Sequence, residues 1–99
     1  MLMDKMASEL EILKRHLIIL KHVVESEPIG ILKLASETNI PSHKVRYSLR
    51  VLEHEGLIAA SMPGAVTTDL TGPFLDELDR RIDELIDLTK GLRDIKITR

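Results

Sequence analysis

The sequence predicts a mainly α-helical fold with one small β-hairpin, in a single domain over residues 1–99. Its 99 residues, 43% of them hydrophobic, are enough for one core and too few for two. Tyr47 and Phe74 are the only aromatic residues, so the core must consist of aliphatic side chains, which helices accommodate easily. Apolar residues recur every three or four positions at both ends of the chain, which indicates long helices there.

The first element is a long helix over residues 4–26. Its apolar residues are alternately three and four positions apart, which forms a heptad stripe on one face. Pro28 and Gly30 end this helix and force a short extended link. The stripe consists of Met3, Met6, Leu10, Leu13, Leu17, Leu20 and Val24.

Two short helices follow, Gly30–Thr38 and Ser42–Glu55, within residues 30–56. The link Asn39-Ile40-Pro41 predicts a tight turn, because asparagine tolerates the left-handed conformation that ends a helix and proline disfavours helix in the residue before it. Gly56 stops the second short helix. The apolar residues expected to pack together in this region are Leu34, Ala35, Ile40, Val45, Leu49 and Leu52.

A β-hairpin is predicted within residues 57–70. Leu57–Ser61 and Ala65–Asp69 flank Met62-Pro63-Gly64, where proline and glycine favour a turn. The hairpin contains no basic residue, and Asp69 is its only acidic residue.

A last long helix is predicted over residues 72–92, again with apolar residues three and four positions apart. Two apolar stripes of about 20 residues each exceed what the short central unit can cover, which favours a homodimer paired through the terminal helices. The residues assigned to this dimer interface are Leu10, Leu13, Leu17, Leu20, Leu75, Leu78, Ile82, Leu85 and Leu92.

The outer face of Ser42–Glu55 is polar and cationic. An exposed helix with cationic and hydrogen-bonding residues in its first two turns is suited to the major groove of duplex DNA. The alternative is an ordinary solvated helix surface. The residues assigned to DNA binding are Ser42, His43, Lys44, Arg46, Tyr47 and Arg50.

The run from Ile31 to Ile58 carries a more specific pattern, made up of Leu34-Ala35, Ile40, Val45, Leu49, Leu52 and Gly56-Leu57-Ile58. In this spacing the run resembles the winged helix-turn-helix family of bacterial and archaeal transcriptional regulators. The resemblance implies that Ser42–Glu55 is the recognition helix, that Ile58–Asp69 is the wing and that the outer helices dimerise. The family positions that face DNA correspond to His43, Lys44, Arg46, Tyr47 and Arg50.

The formal net charge is −2, which is low for a nucleic-acid-binding protein. Only residues 29–58 are net positive, with four basic and three acidic side chains. The low positive charge favours an alternative function, a winged helix adaptor that binds a protein through its hairpin and its acidic last helix. A third hypothesis, a ligand-gated sensor, needs a pocket at the dimer interface, and the sequence indicates neither that pocket nor a small-molecule effector.

Catalytic, metal and membrane functions have no support in the sequence. It contains no cysteine, phosphate-binding loop or nucleophile elbow, and the spacing of its four histidines does not suit metal ligands. No apolar stretch approaches the roughly 20 residues of a membrane span, and the first residues lack the apolar segment of a signal peptide. We therefore expect a cytoplasmic protein that is not an enzyme and has no cofactor, metal site or membrane contact.

Overall fold

The structure is a computed structural model that describes all residues from Met1 to Arg99. Helices account for 71% of the residues, and an antiparallel pair of strands completes the fold. The prediction of a mainly helical fold with one small β-hairpin is therefore confirmed. The elements are α1 (Leu2–Ser26), α2 (Ile31–Thr38), α3 (Ser42–His54), β1 (Ile58–Ser61), β2 (Gly64–Thr67), α4 (Thr71–Gly91) and a 3-10 turn (Leu92–Asp94).

The turn between α2 and α3 has the predicted chemistry. Asn39 ends α2 in the left-handed conformation with φ 57°. The hydroxyl of Thr38 donates to the carbonyl oxygen of Leu34 at 2.6 Å and accepts from the backbone N–H of Ile40 at 3.3 Å. These two hydrogen bonds satisfy backbone groups that the end of a helix leaves unpaired, and they fix the direction in which the chain enters α3.

The hairpin turn is one residue tighter than predicted. Gly64 pairs with Ser61, so only Met62-Pro63 lies between the strands. Gly64 has φ 143°, and a Cβ atom at this position would lie 2.5 Å from the backbone carbon of Ile29. Ile29 and Ala65 exchange backbone hydrogen bonds of 2.8 and 3.1 Å. Glycine is therefore required here, because the link after α1 packs directly against β2.

The hydrophobic core lies between the C-terminal half of α1, α2, α3 and the hairpin. The predicted inward positions of α2 and α3 are confirmed: Leu34, Val45 and Leu52 are buried, while Ala35, Ile40 and Leu49 pack against the core. The ten buried apolar residues are Ile19, Leu20, Val23, Ile29, Leu34, Val45, Leu52, Leu57, Ile58 and Ala65.

Helix α4 joins this core only at its first turn. The buried hydroxyl of Thr71 donates to the carbonyl oxygen of Leu57 at 2.7 Å and accepts from the N–H of Thr68 at 2.9 Å. Beyond that turn the helix has no buried residue. The molecule measures 59 × 28 × 20 Å, so its long helices extend well past the core.

None of the helices combines the length and apolar character that a membrane-spanning segment needs.

Candidate nucleic-acid interface

The six side chains assigned to DNA binding are all exposed on α3. Successive residues of an α-helix are about 100° apart, so His43, Tyr47 and Arg50 lie on one face. Lys44 lies to one side of this face and Arg46 to the other. The opposite side of α3 carries the buried residues Val45, Ser48 and Leu52 and packs into the core. The six residues thus form one continuous polar surface, which we call the α3 face.

The hairpin borders the Arg46 side of the α3 face. A cavity of about 430 Å³ lies between α3, the hairpin and the link before α2, and Arg46, Arg50 and Glu53 line it together with apolar residues. Met62 at the hairpin tip is fully exposed. Because the hairpin itself has no basic side chain, the positive charge on this side comes from α3 alone.

Helix α1 borders the Lys44 side through a small polar cluster. The Ser48 hydroxyl is completely buried and lies 3.1 Å from Nε of Arg15 and 2.7 Å from Nδ1 of His16. An arginine side chain can only donate, so Ser48 accepts from Arg15, and its own O–H can then donate to Nδ1 of His16. That pattern requires neutral His16 with its proton on Nε2.

The surroundings of His16 favour this neutral form. Partial burial lowers the pKa of His16 below its usual value of 6.5, and the positive charge of Arg15 lowers it further. Both effects disfavour a second cation next to Arg15. The cluster therefore keeps its hydrogen-bond pattern at neutral pH.

The same two side chains of α1 also contact Tyr47. The guanidinium carbon of Arg15 lies 5.6 Å from the centre of the Tyr47 ring, within the range of a cation–π contact. The His16 and Tyr47 rings are 5.8 Å apart with an interplanar angle of 42°. Tyr47 remains 47% exposed, so α1 fixes the orientation of this ring and leaves it accessible.

Sequence reasoning missed Arg15 and His16. They lie between Leu13 and Leu17, two consecutive positions of the apolar stripe, where polar residues are expected to face solvent. Their contacts with Ser48 join residues 33 and 32 positions apart in the chain, a separation that helical spacing cannot reveal.

A second surface lies between α1 and α4. Leu10 lines a groove with the end of α4 and Leu17 lines one with its beginning, so the two helices run antiparallel. The two grooves have volumes of about 690 and 710 Å³ and share Leu13, Ile82 and Leu85. They form one trough, the α1–α4 groove, whose charged lining residues lie mostly on α4. Its apolar lining includes Leu10, Leu13, Leu17, Leu78, Ile82 and Leu85, and its charged lining consists of Glu55, Glu77, Arg80, Arg81, Lys90 and Arg93.

Six of the nine residues assigned to the dimer interface line this groove, and all six are exposed or half-buried. Leu75 and Leu92 are exposed on α4 but do not line it. Leu20 corrects the assignment, because it is only 1% exposed and belongs to the core of the chain. At this point the heptad stripe of α1 lies under α3. Leu20 fits the spacing of the stripe but is buried by other residues of its own chain. Leu17, one turn earlier, is half-buried.

The α4 rim of the α1–α4 groove carries exposed ion pairs, which include the groove-lining residues Glu77 and Arg80. Arg80 donates from Nε to Glu77 at 2.6 Å and also pairs with Glu84. Such exposed pairs add little to stability, so they act mainly to keep this side of α4 solvated. No group of His, Asp and Glu side chains is arranged to hold a metal ion.

No protein-family model matches the chain, and no curated protein shows significant similarity to it. The resemblance carried by Leu34-Ala35 through Gly56-Leu57-Ile58 therefore stays a prediction.

Proposed function

We propose that this protein is a winged helix-turn-helix transcriptional regulator that binds specific sequences of double-stranded DNA as a homodimer. The observation that carries the proposal is the α3 face. One side of α3 is anchored by three buried residues, while every polar or cationic residue assigned to DNA binding is exposed on the other side. In this proposal α3 is the recognition helix and the β1–β2 hairpin is the wing.

The dimensions of α3 suit the major groove. Thirteen helical residues extend about 20 Å, and the groove is about 12 Å wide, enough to admit a helix. Arg46 and Arg50 can each donate two hydrogen bonds to the edge of a guanine, the commonest specific arginine contact. Ser42, His43 and Tyr47 supply further donors and acceptors near the start of the helix.

A second copy of the chain is the proposed occupant of the α1–α4 groove. Leu10, Leu13 and Leu85 line this groove and are 54%, 38% and 43% exposed, which is unusual for leucines gathered on one side of a small protein. A two-fold dimer would cover both copies of this groove at once. Two α3 helices would then meet DNA about 34 Å apart, one helical turn of the duplex.

One observation favours an adaptor that binds protein in place of DNA. The hairpin has no basic residue, and its tip presents Met62 fully exposed. Methionine is common on surfaces that bind other proteins, whereas DNA-binding wings need contacts to phosphate. We rank this function second, because it gives no role to the cations of α3.

Binding to a pool of random duplex DNA tests the proposal. The wild type, an Arg46→Ala/Arg50→Ala variant and a Lys5→Ala/Lys96→Ala control are compared at about 50 and 200 mM salt. The control removes the same charge from the ends of the chain. We expect wild type and control to bind at low salt and to lose at least tenfold in affinity at high salt.

The same experiment can overturn the proposal. The Arg46→Ala/Arg50→Ala variant should lose specific binding, because both bidentate contacts are removed. If the wild type does not bind at either salt concentration, or if this variant binds as well as the control, α3 is not a recognition helix. In that case the adaptor function becomes the better hypothesis.

A further inference from the structure

Two cations of α1 lie beside the α3 face and are not among the residues assigned to DNA binding. Lys14 and Arg15 line a cleft of about 550 Å³ between α1 and the turn that precedes α3, and Lys44 lines the same cleft from α3. One carboxylate, Glu11, also borders the cleft. The cleft is therefore lined by three positively charged side chains and one negatively charged side chain.

Arg15 is held in a position from which it can bind an anion. Its Nε donates to Ser48, and its guanidinium lies over the Tyr47 ring. The two terminal nitrogens make no hydrogen bond or ion pair within the chain, which leaves four N–H donors free. Because the side chain is already fixed at Nε and at its face, it loses little freedom when its terminal nitrogens bind a phosphate.

The two borders of the α3 face differ in their capacity to bind phosphate. A helix in the major groove has a sugar-phosphate backbone on each side, and contacts to both fix its orientation. On the hairpin border the flanking element has no cation. On the α1 border the flanking element adds Lys14 and Arg15 next to Lys44 of α3.

We propose that Lys14, Arg15 and Lys44 form a phosphate-binding edge. This edge binds the backbone of one DNA strand beside α3 and sets the orientation of α3 in the major groove. This inference rests on the proposed function and adds α1 to the DNA-binding surface. The ligand of the edge is the phosphodiester backbone, so the edge contributes affinity and register without reading bases. The edge makes the backbone contacts that a basic wing would make on the hairpin border of the α3 face.

The test compares single charge-removing variants on α1. Arg15→Met and Lys14→Met remove cations of the edge and retain an unbranched stem, whereas Lys21→Met is a matched control on an exposed part of α1 outside the cleft. DNA affinity is measured as a function of salt on the preferred sequence and on an unrelated duplex. We expect both edge variants to bind about tenfold more weakly to both duplexes. Each substitution removes two cations from the homodimer, so the salt slope should be smaller by about 1.8.

A further variant separates charge from positioning. Arg15→Lys keeps the positive charge but replaces the planar guanidinium by a single nitrogen atom, so the contacts with Ser48 and with phosphate no longer have separate nitrogen donors. It should retain most of the salt slope and lose only part of the affinity. Circular dichroism spectra of all variants report whether the fold is kept, and Lys14, which is exposed, tests the edge without touching the buried Ser48 hydroxyl.

The failure of this inference is distinguishable from that of the proposed function. If the wild type binds no DNA, the proposed function fails. If the wild type binds and the edge variants match Lys21→Met in affinity and slope, the edge does not contact phosphate. If Arg15→Met alters the preferred sequence at an unchanged slope, Arg15 acts on base contacts through Tyr47, and the phosphate role is overturned.

Discussion

The two halves of α1 carry the same kind of apolar stripe in opposite surroundings. Near its C-terminus, Ile19, Leu20 and Val23 are buried beneath the central elements. Near its N-terminus, Met3 and Met6 are exposed, and α4 beside this half buries nothing beyond Thr71. We call the first region the body (the C-terminal half of α1 with α2, α3 and the hairpin) and the second the arms (the N-terminal half of α1 with α4).

Within one chain the body therefore buries its apolar stripe, whereas the arms leave theirs largely exposed. Side-chain type does not distinguish the regions, since leucine and isoleucine are common in both. What differs is the number of elements available to cover each face: four in the body, and two antiparallel helices in the arms. Isolated helices are marginally stable in water, so the arms depend on tertiary packing. The α1–α4 groove leaves part of their apolar surface exposed.

The largest expected effect comes from a leucine pair on α2. Leu34 is 0% exposed in the body, whereas Leu32, two residues earlier, is 82% exposed. We expect Leu34→Ala to lower the free energy of unfolding by about 2–5 kcal/mol, because it removes buried methyl groups and leaves a cavity. Leu32→Ala should change it by less than about 0.5 kcal/mol. Urea unfolding at one fixed protein concentration measures both.

Equal losses in these two variants would contradict the body as described. They would mean that the outer side of α2 is also covered, for example by a second chain. Repeating the unfolding at a tenfold lower concentration distinguishes that case, because only an intermolecular contact depends on concentration.

A smaller effect is expected from a leucine pair on α4. Leu85 lines the α1–α4 groove, whereas Leu88 is 69% exposed and does not line it. If a second copy fills the groove, Leu85→Gln buries an unpaired amide twice per dimer. We expect the dimer dissociation constant to rise at least tenfold, or about 1.4 kcal/mol, and Leu88→Gln to leave it within about twofold.

Analytical ultracentrifugation over a concentration series measures this comparison. A wild type that remains monomeric at every concentration would rule out the proposed dimer. A larger effect of Leu88→Gln than of Leu85→Gln would move the interface to the outer side of α4.

The body was predictable from sequence because its signals are local. Asn39 and Pro41 specify the turn before α3, and the three- and four-residue spacing of apolar residues specifies which sides of α2 and α3 face inward. Spacing does not say where along a stripe the covering element lies, so Leu20 was assigned to the wrong surface. The spacing of apolar residues also does not reveal that Gly64 must lie close to the backbone of Ile29. Because of this contact, β2 begins at Gly64, one residue before the predicted start.

The α3 face was predictable for the same reason, since the 3.6-residue period of the helix places its polar and apolar residues on opposite sides. The contacts at the borders of the α3 face were not predictable from the sequence. The Arg15–Ser48 contact depends on how α1 crosses α3, which is set by the packing of the whole body rather than by either helix alone. Ser48 illustrates this limit, because a serine on a polar helix resembles a surface residue in sequence, yet its hydroxyl is buried in the contact with α1.

The smallest expected effect concerns His16, where the body meets the α3 face. Because the folded state lowers the pKa of His16, the unfolded chain binds more protons from about pH 6.5 downward. The free energy of unfolding should therefore fall as the pH drops through this range. His16→Gln cannot titrate, and its side-chain oxygen can still accept from Ser48. We expect its stability to fall less steeply than that of the wild type between about pH 7 and pH 5.

Arg15→Gln provides a graded comparison, because burial is the larger cause of the lowered pKa and the charge of Arg15 is the smaller one. Its pH dependence should lie between those of the wild type and His16→Gln. Urea unfolding at a series of pH values gives the free energies, and the difference between wild type and each variant removes the titration of the carboxylates that all three share. A difference between wild type and His16→Gln that does not change with pH would mean that His16 is not held neutral by the body.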